Sequence, residues 1–300
     1  MNNASESREE YFARVERAVT FMTEHLARDL RLEHIAAAAH FSPFHFHRIF
    51  TAMVGETPRD FLNRIRLEKA ANKLIKSPSQ TITEVALACG FSSSSAFARS
   101  FKKHFGRPAG AYRKEQRGRL RSLHPHPDVR VGKGDAALEN TLRYEMEVKT
   151  MPRFHVAYVS NLKGYSLPEI CKAWERLTRW AGARDLLRPE TKSIGMSFDD
   201  PRITPDSKCR YYACITVPEE MSFDSKMGFM DIELGKYAVM HLTCSAEQIQ
   251  LAYRTFFVRW FPESGYQPAD RPSYEIYHDT PDTHPAGLFV MDICMPVMPL

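Results

Sequence analysis

Two arginines occupy matching places in two stretches of similar sequence. Arg48 lies in FSPFHFHRIF (residues 41–50) and Arg99 lies in FSSSSAFARSF (residues 91–101). In each stretch phenylalanines recur at helical spacing on one side, which leaves the arginine on the outward side. An outward guanidinium can donate two hydrogen bonds to the edge of a guanine or bind a phosphate. The pattern therefore predicts two basic helices whose outer faces meet a polyanion.

The similarity extends to the segments around the arginines. IAAAAHFS (35–42) aligns with VALACGFS (85–92), and four pairs align after one inserted residue: Phe46 with Phe97, Arg48 with Arg99, Phe50 with Phe101, and Gly55 with Gly106. In each copy a short helix of small residues leads through a tight turn into a helix opened by serine, a preferred N-cap. This order is typical of a helix-turn-helix motif. Any surface helix has a polar face, but packing alone does not explain the same polar face twice.

The outward side chains suit the major groove of DNA. Arginine pairs with guanine, hydroxyl and imidazole groups bond base edges, and apolar carbons touch thymine methyls. Basic side chains nearby would hold phosphates. The outward residues are Phe44, His47, Arg48 and Thr51 in the first copy and Ser94, Ser95, Ala98, Arg99 and Lys102 in the second, with Lys103, Arg107, Arg113 and Lys114 as phosphate candidates.

The segment from Leu30 to Lys114 resembles the AraC/XylS-type DNA-binding domain, most closely in ITEVALACGFSSSSAFARSFKKHFGRPAGAYRK (82–114). The resemblance implies seven helices in two helix-turn-helix subdomains, joined by a long helix at about Pro58 to Ser77. It also implies that Phe44, His47, Arg48, Ser94, Ser95 and Arg99 are the base-reading positions. Small serines stand where many relatives have longer polar groups, so Arg99 would dominate readout by the second copy.

A carboxylate among aromatic residues marks the second half of the chain. Glu275 is flanked by Tyr274 and Tyr277. Such a carboxylate could receive an organic cation, because it supplies the countercharge while the ring faces attract the cation. Alternatively, Glu275 is a partly exposed strand residue paired with an arginine such as Arg271. The residues alone leave both interpretations open.

Strand and helix patterns surround this glutamate. Strand-like segments such as RFHVAYVS, SIGMSF, YYACITV, KYAVMHLTC and LFVMDICMPV are separated by helical patterns at Leu167 to Gly182 and Ala246 to Phe261. These predict an α+β domain. FDDP (198–201) parallels HDTP (278–281), ITVP (215–218) parallels ICMP (293–296), and RFHVAY (153–158) parallels KYAVMH (236–241), which predicts a β-α-β-β unit used twice.

Residues from about Glu145 to Val297 resemble the GyrI-like effector domain, which also follows AraC-type modules in Rob-like regulators. The resemblance rests on GKYAVMHLTC (235–244), RWFPESGY (259–266), RPSYEIYHDTP (271–281) and LFVMDICMPV (288–297). It implies two pseudo-symmetric halves in one curved sheet, a groove between them, and Glu275 as the ligand-facing glutamate. The candidate walls of a ligand site are Tyr165, Trp174, Phe229, Trp260 and Tyr277, although aromatic residues at such spacings are more often plain core.

Charge divides the chain in the same way. Residues 1–135 contain 23 Lys and Arg against 14 Asp and Glu, whereas residues 136–300 contain 18 against 22. The basic half suits a nucleic acid partner. We expect a DNA-binding domain at 8–117, a linker rich in Pro, Gly and charge at 118–140, and an effector-binding domain at 141–300.

Several classes of site and location are not expected. The six cysteines are scattered, and neither Cys209 and Cys214 nor the histidines at 45, 47, 124 and 126 stand at zinc-site spacing with further ligands. We therefore expect no metal, no cofactor and no catalytic residue. The sequence has no apolar run of the roughly 18 residues that a membrane helix needs and no secretory leader, so a cytoplasmic protein is expected.

These patterns predict a sequence-specific transcription regulator whose partners are double-stranded DNA, a small hydrophobic or cationic effector, and RNA polymerase. The alternatives are a GyrI-like hydrolase that uses a glutamate and aromatic hydroxyls, and a module that binds gyrase or another protein. In either alternative, the hydrolase or the protein-binding module would be fused to a DNA-binding domain.

Overall fold

The computed structural model describes residues 3–77, 79–122, 142–201, 203–221 and 226–300. The chain divides into two compact units. The helical unit comprises Met1–Gly118 together with the short segments Asp199–Lys208 and Ser222–Gly228, and the sheet unit comprises Arg119–Phe198, Cys209–Met221 and Phe229–Leu300. The segment expected to be a linker begins inside a helix that runs to Ser122, so residues 118–122 are helical. The rest of that segment, from residue 123 onward, lies outside the described residues.

The described part of the helical unit has the seven helices that the AraC-type resemblance implies. The long joining helix, predicted at about Pro58 to Ser77, is α4. The helices are α1 Asn3–Glu24, α2 Leu32–Ala38, α3 Pro43–Val54, α4 Pro58–Lys76, α5 Ile82–Ala88, α6 Ser94–Phe105 and α7 Ala109–Ser122.

The helices α3 and α6 begin and end in the same way. Each has an extended serine at its N-cap, Ser42 before α3 and Ser93 before α6. Each contains 12 residues and ends at a left-handed glycine, Gly55 with φ 82° and Gly106 with φ 71°. Glycine adopts this conformation without the steric penalty of a Cβ. The duplication predicted from sequence is therefore present in the backbone.

The turn before α6 lies close to the chain that follows α1. Gly90 has φ 81°, and a Cβ there would collide with the carbonyl of Leu26 and lie 2.9 Å from Nε of Arg66. Arg66, from α4, donates to the carbonyl of Leu26 at 2.9 Å and to that of Arg28 at 2.6 Å. The joining helix is thus bonded to the chain that follows α1.

A buried ion network lies along the same joining helix. Arg64 Nη2 is 2.7 Å from Glu56 Oε1, and Arg64 Nη1 is 3.1 Å from Glu68 Oε2. Within the same unit, Lys208 Nζ is 3.1 Å from the other oxygen of Glu56. The side chains of Arg64 and Glu68 are almost fully buried, so each charge depends on its partner.

The sheet unit contains both strands and helices. The strands are β1 Tyr144–Met151, β2 Phe154–Asn161, β3 Ser193–Ser197, β4 Tyr211–Thr216, β5 Gly228–Ile232, β6 Gly235–Cys244, β7 Tyr266–Pro268, β8 Ser273–Asp279 and β9 Phe289–Pro299. The helices are α8 Leu167–Gly182, α9 Ala246–Thr255, a π-helical stretch Phe256–Trp260, and α10 Phe261–Ser264.

The strand order shows the predicted duplication directly. The order is β1-β6-β9-β8-β3-β4-β2-β5, with β7 paired to β9. One half contains β2-α8-β3-β4 and the other contains β6-α9-β8-β9, and the antiparallel pair β3 and β8 joins them at the centre. Glu275 on β8 is paired with Gly195 on β3, so the glutamate lies at the junction of the two halves.

Side chains from the strands and the helices form the core of each half. Leu251, Ala252 and Phe256 from α9 and its π-helical extension pack with Met240 and Ile293 of the sheet. Trp180 and Leu177 of α8 are likewise buried. Within the described residues, no helix combines the length and apolar character needed to cross a membrane.

Candidate functional site

The second helix of each predicted helix-turn-helix motif, α3 and α6, is called its recognition helix. The first recognition helix, α3, has an inward and an outward side. Phe46 and Phe50 are fully buried, whereas Phe44, His47 and Arg48 are exposed. Phe44 is 67% exposed, which is unusual for so large an apolar side chain. The guanidinium carbon of Arg48 lies 5.7 Å from the centroid of the Phe44 ring, within the range of a cation–π contact.

The second recognition helix, α6, repeats this arrangement with different side chains. Phe97 and Phe101 are fully buried. The predicted base-reading residues Ser94, Ser95 and Arg99 are exposed, as are Lys102 and Lys103. The hydroxyl of Ser93 caps the helix by accepting the N–H of Ala96 and lies 3.1 Å from the hydroxyl of Ser95. Both arginines are therefore available to a partner outside the protein.

The expected phosphate contacts are less uniform. Lys114 is exposed and Arg113 is half-buried. Arg107 forms an ion pair with Glu115 on α7, so its guanidinium already has an acidic partner. Lys103, near the end of α6, and Lys114 are thus the exposed phosphate candidates without such an ion pair among the described residues.

The candidate ligand site centres on Glu275, which is only 5% exposed. Tyr253 donates its hydroxyl to Oε1 at 2.9 Å, and Tyr277 donates to Oε2. The Tyr277 hydroxyl lies 3.3 Å from that of Tyr211, which accepts the indole N–H of Trp174 at 3.0 Å. No ion pair with Glu275 occurs among the residues that the structure describes.

Four elements bring these groups together. Tyr253 comes from α9, Trp174 from α8, Tyr211 from β4 and Tyr277 from β8. Gly195 on β3 leaves room for the phenols, because a Cβ there would lie 3.0 Å from the Tyr277 hydroxyl and closer still to that of Tyr211. Side chains from both halves of the sheet unit thus converge on one carboxylate.

Burial raises the pKa of Glu275 above its usual range, more than the hydrogen bonds from Tyr277 and Tyr253 lower it. Burial, with the nearby carboxylate as the next cause, also raises the pKa of Tyr253, Tyr277 and Tyr211. The phenols therefore remain protonated donors at neutral pH. The site holds a carboxylate that a cation would stabilise and that otherwise depends on two hydroxyl groups.

The predicted wall residues fall into two groups. Trp174 and Tyr277 meet edge to face with ring centroids 5.7 Å apart, and Tyr165 is close enough to Tyr253 to influence its pKa. Phe229 instead packs near His155 and Trp180. Trp260 packs against Phe256, Phe261 and Tyr266 in the core. The structure thus gathers Tyr165, Trp174 and Tyr277 around Glu275 and gives Phe229 and Trp260 other neighbours.

Two residues of the site were not expected from sequence, Tyr253 and Tyr211. The sequence pattern places Tyr253 in a helix and Tyr211 in a strand, but it gives no signal that either contacts the Glu275 site. The alternative pairing of Glu275 with Arg271 does not occur, because Arg271 lies over the Tyr237 ring and donates to the carbonyl of Leu234.

A family model, the GyrI-like small molecule binding domain, matches residues 144–298, more than half of the chain. The chain belongs to this GyrI-like family. A second model, a helix-turn-helix domain, matches residues 35–115, which contain both recognition helices. The AraC-type and GyrI-like resemblances drawn from sequence are confirmed.

Known relatives and a solved structure match about a third of the chain. The HTH-type transcriptional regulator MtrA of Neisseria gonorrhoeae is 40% identical over 28% of this chain and 28% of that protein. The uncharacterized HTH-type transcriptional regulator YbfP of Bacillus subtilis is 37% identical over 34% of this chain and 35% of that protein. The DNA-binding domain of AdpA in complex with a target DNA is 31% identical, covers 38% of this chain and 96% of that chain, and has a TM-score of 0.34. The chain spans about a third of the length of these curated relatives.

A second polar cluster crosses four strands of the GyrI-like domain. His241 lies 2.6 Å from Asp292 through Nδ1 and 2.9 Å from Glu147 through Nε2, and His278 lies 3.0 Å from the other oxygen of Asp292. Partial burial lowers the pKa of His241, but the hydrogen bonds to Glu147 and Asp292 outweigh it and the pKa is raised. Lys149 also pairs with Glu147.

This cluster is a set of cross-strand ion pairs on a half-exposed part of the sheet. Both ring nitrogens of His241 face carboxylates, so a protonated ring can donate to both. Across the described ranges, no group of three or more His, Cys, Asp or Glu residues is arranged to hold a metal ion.

Proposed function

We propose that this protein is a transcription regulator that binds DNA through α3 and α6. The observation that carries the proposal is the pair of exposed arginines, Arg48 and Arg99, at equivalent positions of two helices with the same length, caps and buried phenylalanines. Helices that enter successive major grooves lie about 34 Å apart, one turn of duplex. One subunit would then bind a site of two half-sites, and we propose RNA polymerase as a further partner.

Replacing the arginines tests this proposal. Arg99→Ala should weaken binding to a selected duplex by about 1–3 kcal/mol and relax the preference at one guanine position. Arg48→Ala should do the same at a guanine in the other half-site. The measurement is a titration of fluorescent duplexes with each guanine changed in turn. Equal losses on specific and random duplexes would remove the base-reading role.

Lys103→Ala is the matched control on the same helix. If Lys103 contacts phosphate alone, the variant should lose affinity for every duplex equally and show a shallower dependence of affinity on salt. A change of sequence preference in this variant would show that the division between base-reading and phosphate-binding residues is drawn in the wrong place.

We propose further that the GyrI-like domain binds a small aromatic cation next to Glu275. A buried carboxylate with two phenols and an indole around it offers a countercharge and ring faces. The occupant would alter regulation only if it favours one state of the protein over another. Because Tyr253 and Tyr277 already donate to Glu275, an entering ligand must replace those contacts.

A pair of probes with the same shape tests the role of charge. Trimethylphenylammonium and tert-butylbenzene differ mainly in one positive charge, and calorimetry can measure the binding of each to the full chain. The cation should bind more tightly to the wild type, and the preference should vanish in Glu275→Gln. Equal binding of both probes to the wild type would contradict a carboxylate receptor.

The same groups support a second candidate, a hydrolase. A carboxylate with a raised pKa and phenols in hydrogen-bond contact could transfer protons in general acid–base catalysis. A turnover assay with strained electrophilic substrates distinguishes this activity from binding. Turnover lost in both Glu275→Gln and Tyr253→Phe would favour the enzyme.

A further inference from the structure

The two recognition helices can be compared position by position. Ser42 and Ser93 occupy their N-cap positions, Phe46 and Phe97 are buried at equivalent places, and so are Phe50 and Phe101. This register places Arg48 opposite Arg99 and Phe44 opposite Ser95. The two faces therefore carry the same arginine beside different neighbours, a ring in one copy and a hydroxyl in the other.

The ring of Phe44 contributes little to the apolar core of the helical unit. It is 67% exposed, so it buries little surface in the fold. Its neighbours on the outward face are polar or charged, and the guanidinium of Arg48 lies over it. In the second copy Ser95 lies 3.1 Å from Ser93 through its hydroxyl and has no ring on which Arg99 could stack.

The major groove offers one apolar group to such a ring, the C5 methyl of thymine. Side chains four residues apart on a helix are separated by about 6 Å along its axis, and base pairs are about 3.4 Å apart. A ring and a guanidinium in this arrangement therefore address base pairs that are one or two steps apart. Stacking also restricts the guanidinium before it meets a base, which reduces the entropy lost on binding.

We propose that Phe44 and Arg48 together read a thymine methyl beside a guanine, whereas Arg99 reads its guanine with no methyl requirement. The inference rests on the proposed DNA-binding function and adds a difference between the half-sites. The half-site of α3 is sensitive to the thymine methyl, and the half-site of α6 is tolerant. Phe44 is thereby the specificity-determining residue that distinguishes the copies.

Deoxyuridine tests this because it removes only the methyl group of thymine. A duplex is first selected from a random library with the full chain, and the guanines lost in Arg48→Ala and Arg99→Ala assign the half-sites. Each thymine is then replaced by deoxyuridine in turn. In the wild type, one or two replacements in the Arg48 half-site should lower affinity about fourfold, the effect of removing one methyl-sized contact.

Three variants locate the source of the effect. Phe44→Ser should lose the dependence on the methyl group, and Ser95→Phe should create such a dependence in the Arg99 half-site. Phe44→Leu should keep the methyl dependence but weaken the guanine preference of Arg48, because it preserves an apolar contact without a ring. Thermal unfolding checks that each exposed substitution leaves the fold intact.

The possible outcomes distinguish a failure of the methyl-reading proposal from a failure of the proposed DNA binding. If the wild type tolerates deoxyuridine throughout the Arg48 half-site yet still prefers its guanine, methyl reading is wrong and DNA reading stands. If Phe44→Ser keeps the methyl dependence, another group reads the thymine and the assignment to Phe44 is overturned. If no duplex is enriched by selection, the DNA-binding function fails and this inference fails with it.

Discussion

A buried glutamate of the helical unit, Glu68, has different partners from a buried glutamate of the GyrI-like domain, Glu275. Glu68 in the helical unit is 3% exposed, and Glu275 in the GyrI-like domain is 5% exposed. Glu68 accepts two hydrogen bonds from Arg64, a full positive charge. Glu275 accepts hydrogen bonds from the neutral hydroxyls of Tyr253 and Tyr277.

This difference in partners suggests that Glu68 has a structural role and that Glu275 is a candidate functional residue. A buried charge costs free energy that a countercharge offsets. Glu68 has its countercharge within the fold. Glu275 has none among the described residues, and a carboxylate in that condition is a candidate for binding a cation or moving a proton.

The largest effect is expected where a countercharge is removed. Arg64→Met should lower the free energy of unfolding of the helical unit by about 3–5 kcal/mol, because the buried carboxylate of Glu68 loses the guanidinium that pairs with it. Urea unfolding measures the change. The double variant Arg64→Met with Glu68→Leu should recover much of the loss. A loss below about 1 kcal/mol in the single variant would contradict the view that Glu68 depends on its countercharge.

Removing a phenol should have the next largest effect. Tyr253→Phe deletes one hydrogen bond to Glu275 and should lower the free energy of unfolding at neutral pH by about 1–3 kcal/mol. It should also raise the pKa of Glu275 further, since that hydrogen bond favours the charged form. Chemical denaturation at two pH values measures both, and Phe257→Leu in the same helical stretch serves as a control that leaves the phenol in place.

Glu275→Gln should have a smaller effect of opposite sign at neutral pH. Because the folded-state pKa of Glu275 is raised, the stability that its protonation contributes is complete below about 4.3, the unfolded value. That stability is lost as pH rises through the folded-state pKa. The variant should therefore gain stability relative to the wild type as pH rises, on the order of 1 kcal/mol. A difference in unfolding free energy that is constant from pH 4 to 8 would show that the charged form of Glu275 is not destabilising.

The exposed cluster around His241 should give the smallest effect. Its raised pKa implies stability that is complete below about 6.5 and lost as pH rises through the folded-state value. The His241 side chain is 36% exposed, so solvent screens the pairs and the contribution should stay below about 1 kcal/mol. NMR titration of His241 in the wild type and in Glu147→Gln measures the change of pKa, and added salt should reduce it.

Local signals predicted the helical unit well. Ser42 followed by Pro43 marks a helix start, because serine is a preferred N-cap and proline lacks the N–H that would go unpaired at the first helical position. The buried pair Phe46 and Phe50 fixes the outward direction of Arg48 through helical spacing alone. These features need no knowledge of distant contacts.

The partners of Glu275 could not be predicted in the same way. Tyr253 lies 22 residues before Glu275 and Tyr211 lies 66 residues before Tyr277, and their meeting depends on how helix and strand pack. An aromatic residue shows the same spacing in a core as in a ligand site, which is why Trp260 and Phe229 were grouped with Trp174. Strand β1 is not among the strand-like segments taken from the sequence, although Tyr144, Met146 and Val148 alternate with charged residues in it. Most of its side chains are exposed.

The hydrogen bonds of Arg66 couple the effects of substitutions in the two helix-turn-helix copies. Arg66, on α4, donates hydrogen bonds to the carbonyls of Leu26 and Arg28 after α1. It also lies beside Gly90 in the turn that precedes α6. Substitutions in one subdomain should therefore alter the energetic effect of substitutions in the other, since residues that share a partner are not additive. The two copies are therefore not independent modules. A graft of one helix-turn-helix motif into another protein would also have to include Arg66 and the carbonyl groups that it binds.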